Sequence, residues 1–217
     1  MPLPGKGMLI TSMDIDPSDE AEFNIWYDRE HLAERVAIKG FNEARRWIAV
    51  DAKPKYFCTY STESFEDLTS PDYKQALANQ TEWSNKMISR FKNMIRAVGR
   101  ITVSRGQGRG GAMAVVRLRP GQADTKALRD KLHQLMDPGM LPGIISMHLI
   151  ESDPTLSKSL TEPDKPNPGA SDWFVLIDGT DIASVLELAQ ARFKDAGAPV
   201  MSLGTYHLMW DLSKSDL

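Results

Sequence analysis

The stretch Arg105-Gly106-Gln107-Gly108-Arg109-Gly110-Gly111 lies at the middle of a chain of 217 residues. Its four glycines cannot hold a regular element without outside support, so it reads as a linker. Before it, Gly7–Asp16 alternates as a strand, with Leu9, Thr11, Met13 and Ile15 on one face and Met8, Ile10, Ser12 and Asp14 on the other. Pro17-Ser18-Asp19-Glu20 forms a turn and a helix start, with Ser18 as the expected N-cap. The helix spans Ala21–Ile38 and closes at Gly40, a left-handed cap. Strands Phe41–Val50 and Lys55–Tyr60 are joined by a hairpin at Asp51-Ala52-Lys53-Pro54. A helical turn at Ser64–Leu68 and a helical region from Ser70 to about Met94, broken near Thr81, lead into a strand at Ile95–Arg105.

After the linker the order repeats. Strand Ala112–Leu118, helix Thr125–Met136 and strand Gly143–Glu151 are followed by an exposed loop, Asp153–Ser171, rich in Pro and Gly. Strand Trp173–Ile177, helix Ile182–Ala196 and strand Val200–Trp210 complete the chain. Gly40-Phe41 lines up with Gly143-Ile144, Pro17 with Pro120, and Gly99 with Gly204. The expectation is an α+β protein of two tandem ferredoxin-like β-α-β-β-α-β units, residues 1–105 and 112–217, with 106–111 as linker. Helices cover one sheet face of such a unit, yet both faces of these strands carry apolar residues. Packing the two sheets together into a barrel buries the second face and removes exposed edges.

Lys plus Arg is 26 and Asp plus Glu is 29, a net charge of −3, which argues against nucleic acid as a partner. The single cysteine, Cys58, rules out an internal disulfide and a multi-Cys zinc site. The first residues lack the apolar core of a signal peptide, and no apolar run is long enough to cross a bilayer. A cytoplasmic protein without a membrane partner is expected, with Cys58 as a small buried hydrophobe. Gly106-Gln107-Gly108-Arg109-Gly110-Gly111 has the wrong spacing for a dinucleotide-binding fingerprint.

Four apart on the first helix, Tyr27 and His31 share a face. An imidazole beside a phenol can move a proton to or from a bound carbonyl or aromatic compound near neutral pH. The competing reading has His31 fastening the helix to the sheet. Trp26, Trp47 and Trp83 either line an aromatic pocket or fill the core. Arg45 and Arg46 point to opposite faces of the second strand, and an inward one could clamp a carboxylate. Asp28, Glu30 and Glu34 read as a solvated helix face. His148 takes the place of Arg45 in the repeat, and His148 and His207 could face a barrel interior.

The segments Trp26-Tyr27-Asp28-Arg29-Glu30-His31-Leu32, Lys39-Gly40-Phe41 and Ala44-Arg45-Arg46-Trp47 resemble the signature of EthD-like members of the dimeric α+β barrel superfamily. Lys39 stands where that signature has Pro, and the second half shares the fold but not the motif. The resemblance implies a cofactor-independent isomerase, cyclase, decarboxylase or monooxygenase acting on a small aromatic, lactone or polyketide-like acid. His31 and Tyr27 would be catalytic, and Trp26, Arg45, Arg46, Trp47 and Trp83 would bind substrate. A non-enzymatic ligand-binding or structural barrel is the alternative. No cofactor or metal is expected, with haem the exception the superfamily allows. The expected state is a monomer with an internal pseudo-dimer, or a homodimer.

Overall fold

A computed structural model describes residues 2–121, 125–158 and 167–217. Eight antiparallel strands close a barrel in the order β1-β3-β2-β8-β5-β7-β6-β4. They are β1 (Gly7–Asp14), β2 (Phe41–Asp51), β3 (Tyr56–Thr62), β4 (Lys92–Gly106), β5 (Ala112–Leu118), β6 (Ile144–Ser152), β7 (Trp173–Gly179) and β8 (Val200–Ser213). Two four-stranded arcs, β4-β1-β3-β2 and β8-β5-β7-β6, meet where β2 pairs with β8 and β4 with β6. No sheet edge remains open among the described strands.

Alternation along each strand sends one side chain into the barrel and the next out to the helices. Met8 and Ile10 of β1 lie in an interior cluster with Trp47, Phe57, Phe174 and Tyr206. Leu9 and Met13 face outward, under helices α1 (Glu20–Trp26), α2 (Leu32–Ala37), α3 (Pro71–Ala78) and α4 (Glu82–Ile88). On the other arc, α5 (Thr125–Leu135) and α6 (Ile182–Phe193) cover an outer core of Leu128, Leu132, Val185, Ala189 and Phe193. The molecule thus has three apolar cores: one inside the barrel and one under each helix layer.

Several elements depart from the sequence reading for identifiable reasons. The first helix begins one residue later than Ser18 would cap it: Asp19 is the N-cap, and its backbone carbonyl accepts from Phe23 N–H. That helix is interrupted at Tyr27–His31 by a π-turn, in which Leu32 N–H reaches back five residues to Tyr27 C=O. The long helical region divides at Thr81, whose hydroxyl caps α4 by accepting from Ser84 N–H. It also ends earlier than Met94, because Lys92–Met94 join β4 opposite β1. Part of the linker is held in place: Gly106 extends β4, Gly110 C=O accepts from Arg45 Nη2 at 2.8 Å, and Gly111 C=O accepts from Leu208 N–H. Gly40 adopts φ +87°, and a Cβ there would strike the Asp67 side chain at 2.3 Å, so only glycine fits the helix exit. Of the expected loop Asp153–Ser171, residues 159–166 lie outside the described residues. Its first part is anchored to β4, since Ser157 Oγ accepts from Val98 N–H and Arg96 donates to Leu156 C=O.

Candidate functional site

The π-turn determines what meets His31. In an α-helix, residues five apart diverge around the axis; the wider π-turn brings them back to one side. Trp26 and His31, five apart, accordingly have ring centroids only 4.2 Å apart, with the planes tilted by 30°. Tyr27 meets His31 edge-on at 5.0 Å, and Tyr60 of β3 approaches it at 6.5 Å. Glu30, inside the turn, ties it to α4: its Oε1 accepts from Trp26 Nε1, Thr81 Oγ1 and Ser84 Oγ. Glu30 is therefore a fastening residue rather than part of a solvated face.

His31 is buried, and its Nδ1 has no hydrogen-bond partner among the described residues. Burial pushes its pKa well below the usual imidazole value, and the nearby Arg35 and Arg46 cations add to the effect. The ring is neutral at pH 7, with a lone pair available. Burial acts in the opposite direction on the acids around it. The Tyr27 and Tyr60 phenols are held well above their ordinary value, and the Cys58 thiol is pushed up to about 11. All three remain protonated, so the phenols are donors and Cys58 is inert. Tyr27 O–H lies 3.9 Å from the Met13 sulfur and also neighbours Cys58 and the Tyr60 hydroxyl, and the Tyr60 hydroxyl makes no hydrogen bond of normal length. A neutral imidazole thus stands near protonated phenols that have only long contacts with one another, with Cys58 and with Met13.

Of the residues expected at the site, Trp26, Tyr27, His31, Arg46 and Trp83 gather on the outer, helix-covered side of the N-terminal arc. Arg46 is completely buried; its guanidinium lies 4.3 Å from the Tyr27 ring centroid and donates to Asp28 at 2.9 Å and Asn24 at 2.5 Å. Trp83 is half-buried against the same core. The structure places Arg45 and Trp47 elsewhere, on the opposite face of β2 inside the barrel. There Arg45 stacks over Trp47 at 4.4 Å and pairs with Asp178 at 2.8 Å. Asp178 also faces His148 at 3.3 Å, and His148 contacts Ser146 and Ser104, each at 3.1 Å. Asp178 keeps a lowered pKa although burial alone would raise it, because His148 and Arg45 stabilise its charge. This interior network pairs the Arg45 terminal nitrogens, Asp178 and both His148 ring nitrogens, leaving Arg45 Nε and Trp47 Nε1 without partners.

Sequence reasoning missed Arg35 and Tyr60. Arg35 is buried, its side chain makes no hydrogen bond among the described residues, and its nearest carboxylate is Glu34, at 3.8 Å. The signal was present: Tyr27, His31 and Arg35 recur every four residues. His133 and His207 lie away from the cluster, on α5 and β8. The described residues include no group of three or more His, Cys, Asp and Glu placed to hold a metal. A cavity of about 30 Å³, roughly the share of one water, opens at a barrel mouth between Ser12, Phe57, Arg117, Phe174 and Tyr206, and His31 does not line it. No described helix is long and apolar enough to cross a membrane.

No family model matches the sequence, and no curated protein matches it significantly. Solved structures do resemble it. An anthrone oxidase-like protein superposes with a TM-score of 0.64 at 10% identity, covering 98% of this chain and 94% of its own. A "putative monooxygenase" from Lactobacillus acidophilus gives 0.58 at 9% identity, covering 97% of each chain. A heme-binding protein from Thermus thermophilus gives 0.51 at 10% identity, covering 99% of this chain and 94% of its own. At such identities the likeness is one of architecture, and the chain shares with these proteins the α+β fold built on an eight-stranded antiparallel barrel-like sheet.

Proposed function

We propose that the His31 cluster is the active site of a cofactor-independent enzyme that removes a proton from a small aromatic, lactone or polyketide-like acid. The observation that carries this is the neutral, buried His31, with an unpartnered Nδ1, beside Tyr27 and near a Tyr60 hydroxyl that makes no hydrogen bond of normal length. In the proposed step His31 takes a proton from an acidic C–H next to a carbonyl. The C–H electron pair moves into the carbonyl, and the resulting enolate oxygen accepts a hydrogen bond from a Tyr hydroxyl. Return of the proton to another carbon completes an isomerisation. In the oxidase or monooxygenase version, which the names of two structural neighbours favour, the enolate carbon is oxidised by dioxygen as co-substrate: one oxygen atom becomes the new carbonyl and the other leaves as water with the two hydrogens of the original CH2.

The same reading takes the chain as two tandem units of EthD-like type, residues 1–105 and 112–217, the second having lost its site. The two arcs have matching strand orders, Gly40 and Gly143 both adopt positive φ, and Gly99 and Gly204 both sit where a Cβ would collide with a neighbouring strand or hairpin. The core under α5 and α6 gathers aliphatic and aromatic side chains, and His133 on α5 has an enclosed, unpartnered Nε2. The barrel is complete within one chain, and the protein is read as cytoplasmic.

Haem, suggested by one neighbour's name, does not fit these residues. A haem-ligating histidine needs a free ring nitrogen facing a slot as wide as the macrocycle. His31 is stacked on Trp26, and both ring nitrogens of His148 are engaged inside the packed barrel. His133 sits on helix α5 and His207 is exposed on barrel strand β8, and neither lines the described cavity.

A thermal-shift panel of small aromatic acids and lactones, run on wild type and His31→Ala, tests the assignment, followed by a turnover assay of each binder. Stabilisation of wild type that weakens in the variant, with turnover lost, is expected. Binding that leaves the ligand chemically unchanged by mass spectrometry would make the protein a carrier, and equal shifts in both proteins would remove His31 from the site.

A further inference from the structure

Four arginines are buried in the described structure: Arg35, Arg45, Arg46 and Arg96. Three donate to protein acceptors through their terminal nitrogens, although Nε of Arg45 and of Arg46 is enclosed without a partner, as it is in Arg35. Arg45 holds Asp178 and Gly110 C=O, Arg46 holds Asp28 and Asn24, and Arg96 donates to Leu156 C=O and Lys158 C=O. Arg35 is only 5% exposed, and its side chain makes no hydrogen bond among the described residues. Its nearest carboxylate oxygen, Glu34 Oε2, is 3.8 Å away, and its Nε is enclosed and unpartnered. A buried charge left so poorly matched is unfavourable unless a partner completes it.

We propose that Arg35 binds the carboxylate of the substrate, making the ligand a small aromatic carboxylate. This rests on the reading of the His31 cluster as the ligand site. A guanidinium pairs with a carboxylate through two parallel hydrogen bonds, and water excluded around the pair strengthens it. Arg35 lies one helical turn beyond His31 and close enough to the imidazole and to Tyr60 to bias both electrostatically. The Trp26, Tyr27 and Tyr60 rings pack around His31, one helical turn before Arg35, and are the apolar groups a flat ligand body would meet. Arg45 and Arg46, the arginines that strand alternation offered for this task, are both engaged internally.

The test compares benzoate with benzamide, which share a shape and differ in charge, at fixed ionic strength. Dissociation constants and melting temperatures are measured for wild type, Arg35→Met and His31→Gln. Benzoate is expected to bind wild type at least about tenfold more tightly than benzamide, the size of one well-formed charged hydrogen bond. Arg35→Met should lose that preference and His31→Gln should keep it. Equal binding of the two probes, or a preference that survives in Arg35→Met, overturns the proposal. If neither probe binds, the melting temperature decides. Arg35→Met above wild type supports an unmet guanidinium, and Arg35→Met at or below wild type overturns it. Turnover separates the two readings. If His31→Gln loses turnover but wild type shows no charge preference, this proposal alone fails. If the preference holds and His31→Gln keeps turnover, the base assignment alone fails.

Discussion

At the scale of single residues, what matters is the difference between polar groups the fold satisfies and those it does not. Arg46 and Asp178 are buried but paired, and each braces structure. His31 and Arg35 are buried and unmatched, which a fold tolerates where a ligand completes the set. Replacing His31 with Ala is expected to lower turnover by about 10²–10⁴-fold while leaving circular dichroism unchanged. His31 also makes a prediction about stability. Its folded pKa lies below its unfolded one, so the unfolded chain binds the extra proton first. Its neutral burial is therefore without cost above about pH 6.5, and stability falls as the pH drops below that value toward the lowered folded pKa. Urea titrations from pH 7 to pH 5 should show wild type losing stability faster than His31→Phe, by up to about 1.4 kcal/mol per pH unit. Parallel slopes would mean that the imidazole is solvated. The sequence disclosed Trp26, Tyr27 and His31 because aromatic and imidazole side chains at helical spacing are conspicuous. It concealed Arg35 because an arginine beside Glu34 on a helix looks like an ordinary surface pair.

At the scale of elements, the interrupted first helix is the decisive feature. An α-helix running unbroken through Tyr27–His31 would turn Trp26 and His31 away from one another; the π-turn stacks them instead. Local propensity gives no warning of this, because a π-turn is held by tertiary contacts, here Glu30 with Thr81 and Ser84, and Asp28 with Arg46 and Trp210. Deleting the exposed Arg29 should convert the turn to continuous α-helix. The variant is expected to fold, to keep its helical signal and to lose ligand binding; retained binding would show that the turn does not shape the site. Helices α3 and α4 are short and cover the cluster through Tyr73, Ser84 and Met87. Amide hydrogen exchange across Pro71–Ile88 should slow when a ligand binds.

At the scale of the whole molecule, the two arcs divide the labour. The N-terminal arc carries His31, Arg35 and Tyr60 with unpartnered atoms, and the C-terminal arc closes the barrel and holds an unpartnered Nε2 on His133. The Arg45–Asp178–His148 network spans both arcs across the barrel interior. Asp178→Asn leaves Arg45 without its counter-ion and should destabilise the fold by about 3–5 kcal/mol in chemical denaturation, with little change in KM. Element order and barrel closure were legible from the glycine-rich midpoint and the two-faced apolar strands. The partition of Arg45 and Trp47 from the rest of the expected site was only half legible. Alternation says that neighbours on β2 part company, but which face carries the chemistry depends on what the helices bring. The most direct test of the His31 site is imidazole ¹⁵N NMR of all four histidines, followed through a pH titration and then with benzoate added. The account predicts that His31 stays neutral well below pH 6.5 and that its signals move on binding, while those of His148 do not. A His31 that titrates like a free imidazole, with benzoate shifting His148 or His207 instead, would contradict it.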